Sequence, residues 1–289
     1  MRVPPWAQRH GHPVQLGRRP EDPAGDDPRR CGPPYTRSIV SGLAFISYLG
    51  PNTVPIARQL GDRLTDELAI DFAWEPATWA DLQTAIDSGA ACLFWMCGLL
   101  TVESIDGGQL DAEIVAAPVF PGETASVYRS VVIAGRGSEA QSIDDLRGAH
   151  LAINGTGSWS GYHSLRAHLA ELGSFDRLFG SVTETGSHDA SIDQVLAGAA
   201  DCAAIDSSVW DDRNGRDPRL KEIRVVGRTR DWPAPPFAVS RAIDAEMRRA
   251  IAASLTRSAP VGLEAIVPAD DADYDLIRRG MALARDVAW

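Results

Sequence analysis

NGTGSWSGY, residues 154–162, is the stretch whose reading decides the fold. The apolar run His150-Leu151-Ala152-Ile153 leads into it and reads as a short buried strand. Gly161-Tyr162-His163-Ser164-Leu165-Arg166 leads out and reads as a helix, with Leu165, Leu169 and Leu172 on one side. Between them lie the glycines Gly155, Gly157 and Gly161 and the hydroxyls of Ser158 and Ser160. A strand, a loop of small residues and a helix start make a site for an anion. The first N–H groups of a helix have no internal partners, and the helix dipole places about half a positive charge there. The plainer reading of the same residues is a helix start with Ser160 as its N-cap.

The chain has 289 residues, 44% hydrophobic and 23% charged, which suits a globular protein with a substantial core in one or two domains. A net charge of −11 argues against a general nucleic-acid role. It does not argue against specific anion binding, because backbone dipoles need no net positive charge. The four cysteines, Cys31, Cys92, Cys97 and Cys202, form no CxxC and, with the histidines, no zinc-like spacing. They read as free thiols, and neither a metal nor a cofactor is expected. No stretch is long enough to span a membrane, so direct membrane insertion is not expected.

Residues 1–38 are rich in Pro, Arg, Gly and Asp and are expected to be a disordered tail. No apolar segment of the secretory type follows the first charges. Arg29-Arg30 and Arg37 before Ile39–Leu49 admit a late twin-arginine signal, and a downstream translation start is a further option. The run from Leu43 to Tyr48 reads better as the first core strand.

From there strands and helices alternate. Val54–Leu68 carries Ile56, Leu60, Leu64 and Leu68 at helical spacing; Ala69–Trp74 reads as the next strand. Thr78 with Asp81 starts another helix; Cys92–Met96 and Ile114–Pro118 read as strands. The second half repeats the rhythm: strands at Tyr128–Ala134, Ser181–Thr185, Cys202–Ile205 and Ile223–Val226, helices at Ser191–Ala197 and from Ser207. Ala242–Leu255 and Tyr274–Ala284 read as closing helices. This βαβα order implies an α/β protein whose mixed, mostly parallel sheets are flanked by helices. Extended crossings near Tyr128 and over Arg228–Pro236 divide it into two lobes, residues 39–127 plus 235–289 and residues 128–234. Ligands of such sheets bind outside the carboxyl ends of the strands, which puts the cleft between the lobes.

Three strand ends of the second lobe can be read together: Gly157-Ser158-Trp159-Ser160-Gly161-Tyr162, Thr185-Gly186-Ser187-His188-Asp189-Ala190-Ser191-Ile192 and Ala203-Ala204-Ile205-Asp206-Ser207-Ser208-Val209-Trp210. In this order and spacing they resemble the phosphate/phosphonate (PhnD-like) proteins of the periplasmic-binding-protein type 2 fold, the binding components of ABC transporters. The resemblance spans roughly residues 42–258. It implies that Ser158, Ser160 and the backbone N–H of Trp159 hold the anion, with His188 beside them. It implies Asp206 at the other end of the ligand, Tyr48 closing from the first lobe and Cys97 at the turn after the third strand. Trp159 stands where a smaller residue is usual, and Met96-Cys97-Gly98 replaces a more polar or aromatic turn. The plainer readings are His188 as a cap neighbour, Asp206 as a cap through Ser208, and Trp95 and Trp210 as core.

The function implied is a substrate-binding protein that takes a small oxyanion such as phosphate or a phosphonate, with an ABC transporter permease as partner. The alternative is a cytoplasmic enzyme on the same fold, similar to chorismate dehydratase and acting on a small anionic metabolite. Resemblance points to the periplasm or cell surface, and the lack of a clear signal points to the cytoplasm.

Overall fold

The computed structural model describes residues 43–69, 72–90, 92–174 and 176–288; the expected tail and Cys31 lie outside them. The chain opens with β1 (Leu43–Tyr48), α1 (Val54–Leu68), β2 (Phe72–Pro76), α2 (Trp79–Ser88), β3 (Cys92–Met96), α3 (Gly98–Asp106) and β4 (Ala112–Val119). In α1, Ile56, Leu60 and Leu64 are buried, as the spacing requires, and Leu68 lies off that stripe's buried part. Helix α2 starts at the expected capping box: the Asp81 N–H donates to Thr78 Oγ1 at 3.2 Å and the Thr78 N–H to Asp81 Oδ2 at 2.8 Å. Helix α3 is not legible in the sequence. Its residues Leu99, Leu100, Thr101 and Val102 are all buried, so its first turns show no polar face to reveal a 3.6-residue period.

The chain then runs through β5 (Val127–Tyr128), β6 (Ser130–Ala134), β7 (His150–Ile153), α4 (Ser164–Glu171), β8 (Ser181–Glu184), α5 (His188–Leu196), β9 (Cys202–Asp206), α6 (Ser207–Arg216) and β10 (Arg224–Arg228). It closes with β11 (Trp232–Pro233), β12 (Phe237–Ser240), α7 (Ala245–Arg257), β13 (Ala265–Pro268) and α8 (Asp275–Ala284). Leu172, expected on the buried side of the serine-loop helix, is 62% exposed because α4 ends at Glu171. The four-residue strands β12 and β13 are too short to show an alternation, yet β12 is wholly buried.

Two mixed sheets result, ordered β13-β4-β12-β3-β1-β2 and β10-β6-β9-β7-β8. In each, one early strand is flanked by parallel partners: β1 by β2 and β3, β7 by β8 and β9. In the second sheet the two-residue period sorts the core. Leu151, Ile153, Cys202 and Ala204 face one cluster, while Ala152, Ala203 and Ile205 face the other. Burial of each Leu or Ile there contributes about 1.5 to 3 kcal/mol.

The crossings between the lobes pair with each other. Strands β5 and β11 form an antiparallel ribbon with Tyr128 opposite Trp232. The Trp232 indole meets Trp159 of the serine loop edge-on, ring centroids 4.7 Å apart. Both rings lie over Gly280 of α8, where a Cβ would come 2.7 Å from Trp159 Cη2 and 2.8 Å from Trp232 Cη2. Helix α8 thus packs behind the loop; it also joins α3 through Arg278 on Asp106 at 2.8 Å and precedes Val287, whose carbonyl takes Arg166 Nη2 at 2.8 Å.

His163, at the start of α4, is buried with Nε2 2.8 Å from the Thr156 carbonyl and Nδ1 without a partner among the described residues. Burial, then Arg166, lowers its pKa from 6.5 to about 4. A folded value below the unfolded one means stability is present above pH 6.5 and is lost as pH falls through 4. Denaturant titrations at pH 7 and pH 4.5 should show a loss about 2 to 3 kcal/mol smaller in His163→Gln than in the natural chain. Gly280→Val should cost about 1 to 3 kcal/mol in the same measurement at pH 7, by overpacking two rigid rings.

Candidate functional site

The carboxyl ends of the parallel strands bring the residues singled out in the sequence to one junction. Tyr48 ends β1 and Cys97 follows β3 in the first lobe; the serine loop follows β7, His188 follows β8 and Asp206 ends β9 in the second. Helix N-termini meet there as well, those of α3, α5, α6 and the turn leading into α4. The junction therefore gathers the positive ends of several helix dipoles although the chain is acidic overall.

The serine loop departs from the plainer reading in one respect. The N-cap is Ser158, not Ser160: Ser158 Oγ accepts the Gly161 N–H at 3.0 Å. The first turn is wide, of the π type, with the His163 N–H donating to the Ser158 carbonyl at 3.1 Å. Ser160 is thereby released from capping. Its side chain, 4% exposed, lies 3.2 Å from His188 Nε2. Gly161 permits this approach, since a Cβ there would sit 3.0 Å from His188 Cε1 and 1.8 Å from Asn154 Oδ1. From below, the Ser130 hydroxyl donates to the Ser160 carbonyl and contacts Ser164 Oγ.

His188 is the first residue of α5, capped by Ser187, whose Oγ accepts the Ala190 N–H at 3.1 Å. Gly186 supplies the left-handed backbone, φ +90°, that turns β8 into this helix. His188 Nδ1 lies 3.4 Å from the Asp206 N–H. Burial lowers the imidazole's pKa, with Asp206 and Asp189 opposing, so the ring is neutral at pH 7. A neutral ring offers one donor and one acceptor. Behind it, the buried Arg213 takes up Asp189 at 2.8 Å, together with Asp193 and Asp217.

Asp206 caps α6 as the plainer reading has it: Oδ1 accepts the Ser208 N–H at 2.9 Å and the Ser208 hydroxyl at 2.7 Å. Ser208 Oγ also accepts Asn52 Nδ2 at 3.2 Å, a bond between the lobes. Tyr48 packs on Trp79, centroids 5.7 Å apart, and its pKa is raised by burial and then by Cys97. Burial also pushes the Cys97 thiol up, while the amides of Trp159, Leu100 and Leu99 pull the other way. The Trp159 amide thus faces the first lobe, and its fully buried indole belongs to the core. Trp95 and Trp210 are core too, Trp95 Nε1 donating to the Pro235 carbonyl at 3.1 Å.

Sequence reading assigned no role to three polar groups at this junction: Asn52, which it placed among the polar residues at strand ends, Asn154 and Tyr128. Each has a buried oxygen with no hydrogen-bond partner among the described residues. Asn52 and Asn154 stand in strand-end loops, the place where polar side chains count; Tyr128 was hidden in what read as one long strand. Two surface hollows of about 580 and 280 Å³ lie elsewhere, one lined by Glu139, Glu222 and Arg224, the other by Ile86, Asp111 and Ser240. Among the described residues no His, Cys and carboxylate cluster is placed to hold a metal.

The chain is similar to known proteins over most of its length. Residues 43–274 match the family model of the ABC transporter phosphonate periplasmic substrate-binding proteins. A binding-protein component of an ABC phosphonate transporter from Pseudomonas aeruginosa superposes with TM-score 0.72 at 15% identity, over 85% of this chain and 87% of that one. PhnD1 from Prochlorococcus marinus, in complex with methylphosphonate, gives 0.70 at 16% identity, over 86% and 99%. A Xanthomonas citri protein bound to ATP gives 0.67 at 17% identity, over 86% and 100%. The shared architecture is the two-lobed binding-protein fold, and with the match running over most of its length the chain belongs to the family of phosphonate ABC transporter substrate-binding proteins.

Proposed function

We propose that the chain binds a small oxyanion of the phosphonate or phosphate class at the serine loop and delivers it to an ABC transporter permease. The observation that carries this reading is the Ser160 hydroxyl, 4% exposed and 3.2 Å from His188 Nε2, in the first turn of a helix. Buried donors there suit an anion, because unpaired amides and hydroxyls stabilise negative charge in a low-dielectric site. The methylphosphonate held by the Prochlorococcus relative supports the ligand class.

In this reading Ser158, Ser160 and the Trp159 amide hold the anion's oxygens and His188 completes the cradle. Ser158 Oγ accepts from Gly161 and still has its own proton to donate. Tyr48 and Cys97 close from the first lobe; a thiol held above its ordinary pKa is protonated at pH 7 and acts as a weak donor. Asp206 faces the ligand's far end with the carboxylate oxygen not used in capping. Ligand contacts to both lobes favour the closed arrangement by the difference in affinity between open and closed forms.

Calorimetric titration with methylphosphonate and inorganic phosphate tests the reading, which fails if neither binds. Ser160→Ala and His188→Ala should each weaken binding by about 1 to 3 kcal/mol, as expected for donors to a buried charged group. Asp206→Asn should leave stability within about 0.5 kcal/mol, since Asn caps as well as Asp. The same variant should weaken binding of 2-aminoethylphosphonate, whose amine needs the carboxylate, more than binding of methylphosphonate.

A further inference from the structure

Arg213, on α6, is 7% exposed, and among the described residues no other arginine, lysine or carboxylate is buried. Its guanidinium reaches across to α5, with Nη1 2.8 Å from Asp189 Oδ1 and Nη2 2.5 Å from Asp193 Oδ1. Nη2 also meets Asp217 Oδ2, just past the end of α6, at 3.2 Å. Asp189 and Asp193 stand one helical turn apart on α5. Arg213 therefore pins the first turn of the helix that His188 begins.

Packing alone gives no reason for this arrangement, since apolar residues of similar volume in place of a buried ion pair are often neutral or stabilising. The three carboxylates are also not equivalent. Arg219 lies 2.6 Å from Asp217 and 3.7 Å from Asp193, so both keep a cation without Arg213. Asp189 makes its ion pair with Arg213 alone among the described residues. It follows His188 directly, and its charge acts on the imidazole. The groups facing that ring are Ser160, 3.2 Å away, Asp206 at the end of β9, and Asp189 on its own helix. One oxygen of Asp206 is held by its helix cap. An uncovered Asp189 would place a negative charge in the turn whose positive dipole end faces the anion.

We infer that Arg213 is a positioning residue for anion binding, which acts without touching the ligand by cancelling the charge of Asp189 beside His188. This rests on the oxyanion reading of the site. It gives the buried guanidinium an electrostatic role: a cation behind α5 keeps the carboxylate next to the cradle from repelling the anion in front of it. The effect passes through the helix start and needs no movement of the lobes.

Methylphosphonate titrations at low ionic strength of the natural chain, Arg213→Gln, Asp189→Asn and the double variant test the inference. Arg213→Gln should bind about 5- to 30-fold more weakly. Adding Asp189→Asn to it should restore affinity to within about 3-fold of the natural chain, because the local charge returns to its original value. A structural staple would not be rescued in this way, since the double variant has lost both partners. Unchanged affinity in Arg213→Gln, or no recovery in the double variant, would overturn the inference while leaving the oxyanion reading intact. If Arg213→Gln does not fold, Asp189→Asn alone decides. With Arg213 still in place it should bind about 2- to 5-fold more tightly, by a margin that shrinks as salt is added. Equal or weaker binding there would overturn the inference. If the natural chain binds neither methylphosphonate nor phosphate, the oxyanion reading fails first and this inference with it.

Discussion

The edge-on contact of Trp159 with Trp232, seated over Gly280, is the constraint on which the rest of the site depends. It fixes the serine loop from behind and ties it to the ribbon between the lobes. With the indole buried, the backbone of residue 159 must turn its amide toward the first lobe. The same anchoring accounts for a large aromatic residue between two serines, where the binding chemistry alone asks only for a small one. Glycine at 280 is then required by rigid rings rather than by backbone conformation.

A chain with net charge −11 binds an anion, in the reading proposed here, by local means. Amides at helix starts, serine hydroxyls and a neutral imidazole act over a few ångströms, whereas opposing surface charge farther away is screened. The carboxylates nearest the site are engaged elsewhere: Asp189 on Arg213, and one oxygen of Asp206 on its helix cap. Depressing the pKa of His188 by burial keeps it a hydrogen-bonding group rather than a switch.

Legibility followed the physical origin of each element. Helices with one wet face, α1 and α2, showed their period and caps, and β1, β3 and β7 stood out as apolar runs bounded by turns. Helix α3 did not, since every side of its first turns is buried. Strands β12 and β13 were missed because four residues cannot display a pattern. At the site, Ser160 and His188 were readable from their place after strands. Tyr128 could be placed at a crossing between the lobes, but its buried, unpartnered hydroxyl was not legible, because that depends on residues distant in the chain.

By itself the sequence determined the α/β order, the two-lobed architecture and the family, since these follow from hydrophobic period, turn residues and short motifs that act over a few neighbours. Tertiary structure alone decided which serine caps the helix and which faces His188, because a wide first turn and a glycine contact select between them. It also decided that Asn52 bonds Ser208 across the lobes and that Tyr128 pairs with Trp232 beside the serine loop. Their separations along the chain are bridged only by sheet register and by the pairing of β5 with β11, and these are long-range contacts that no local propensity encodes.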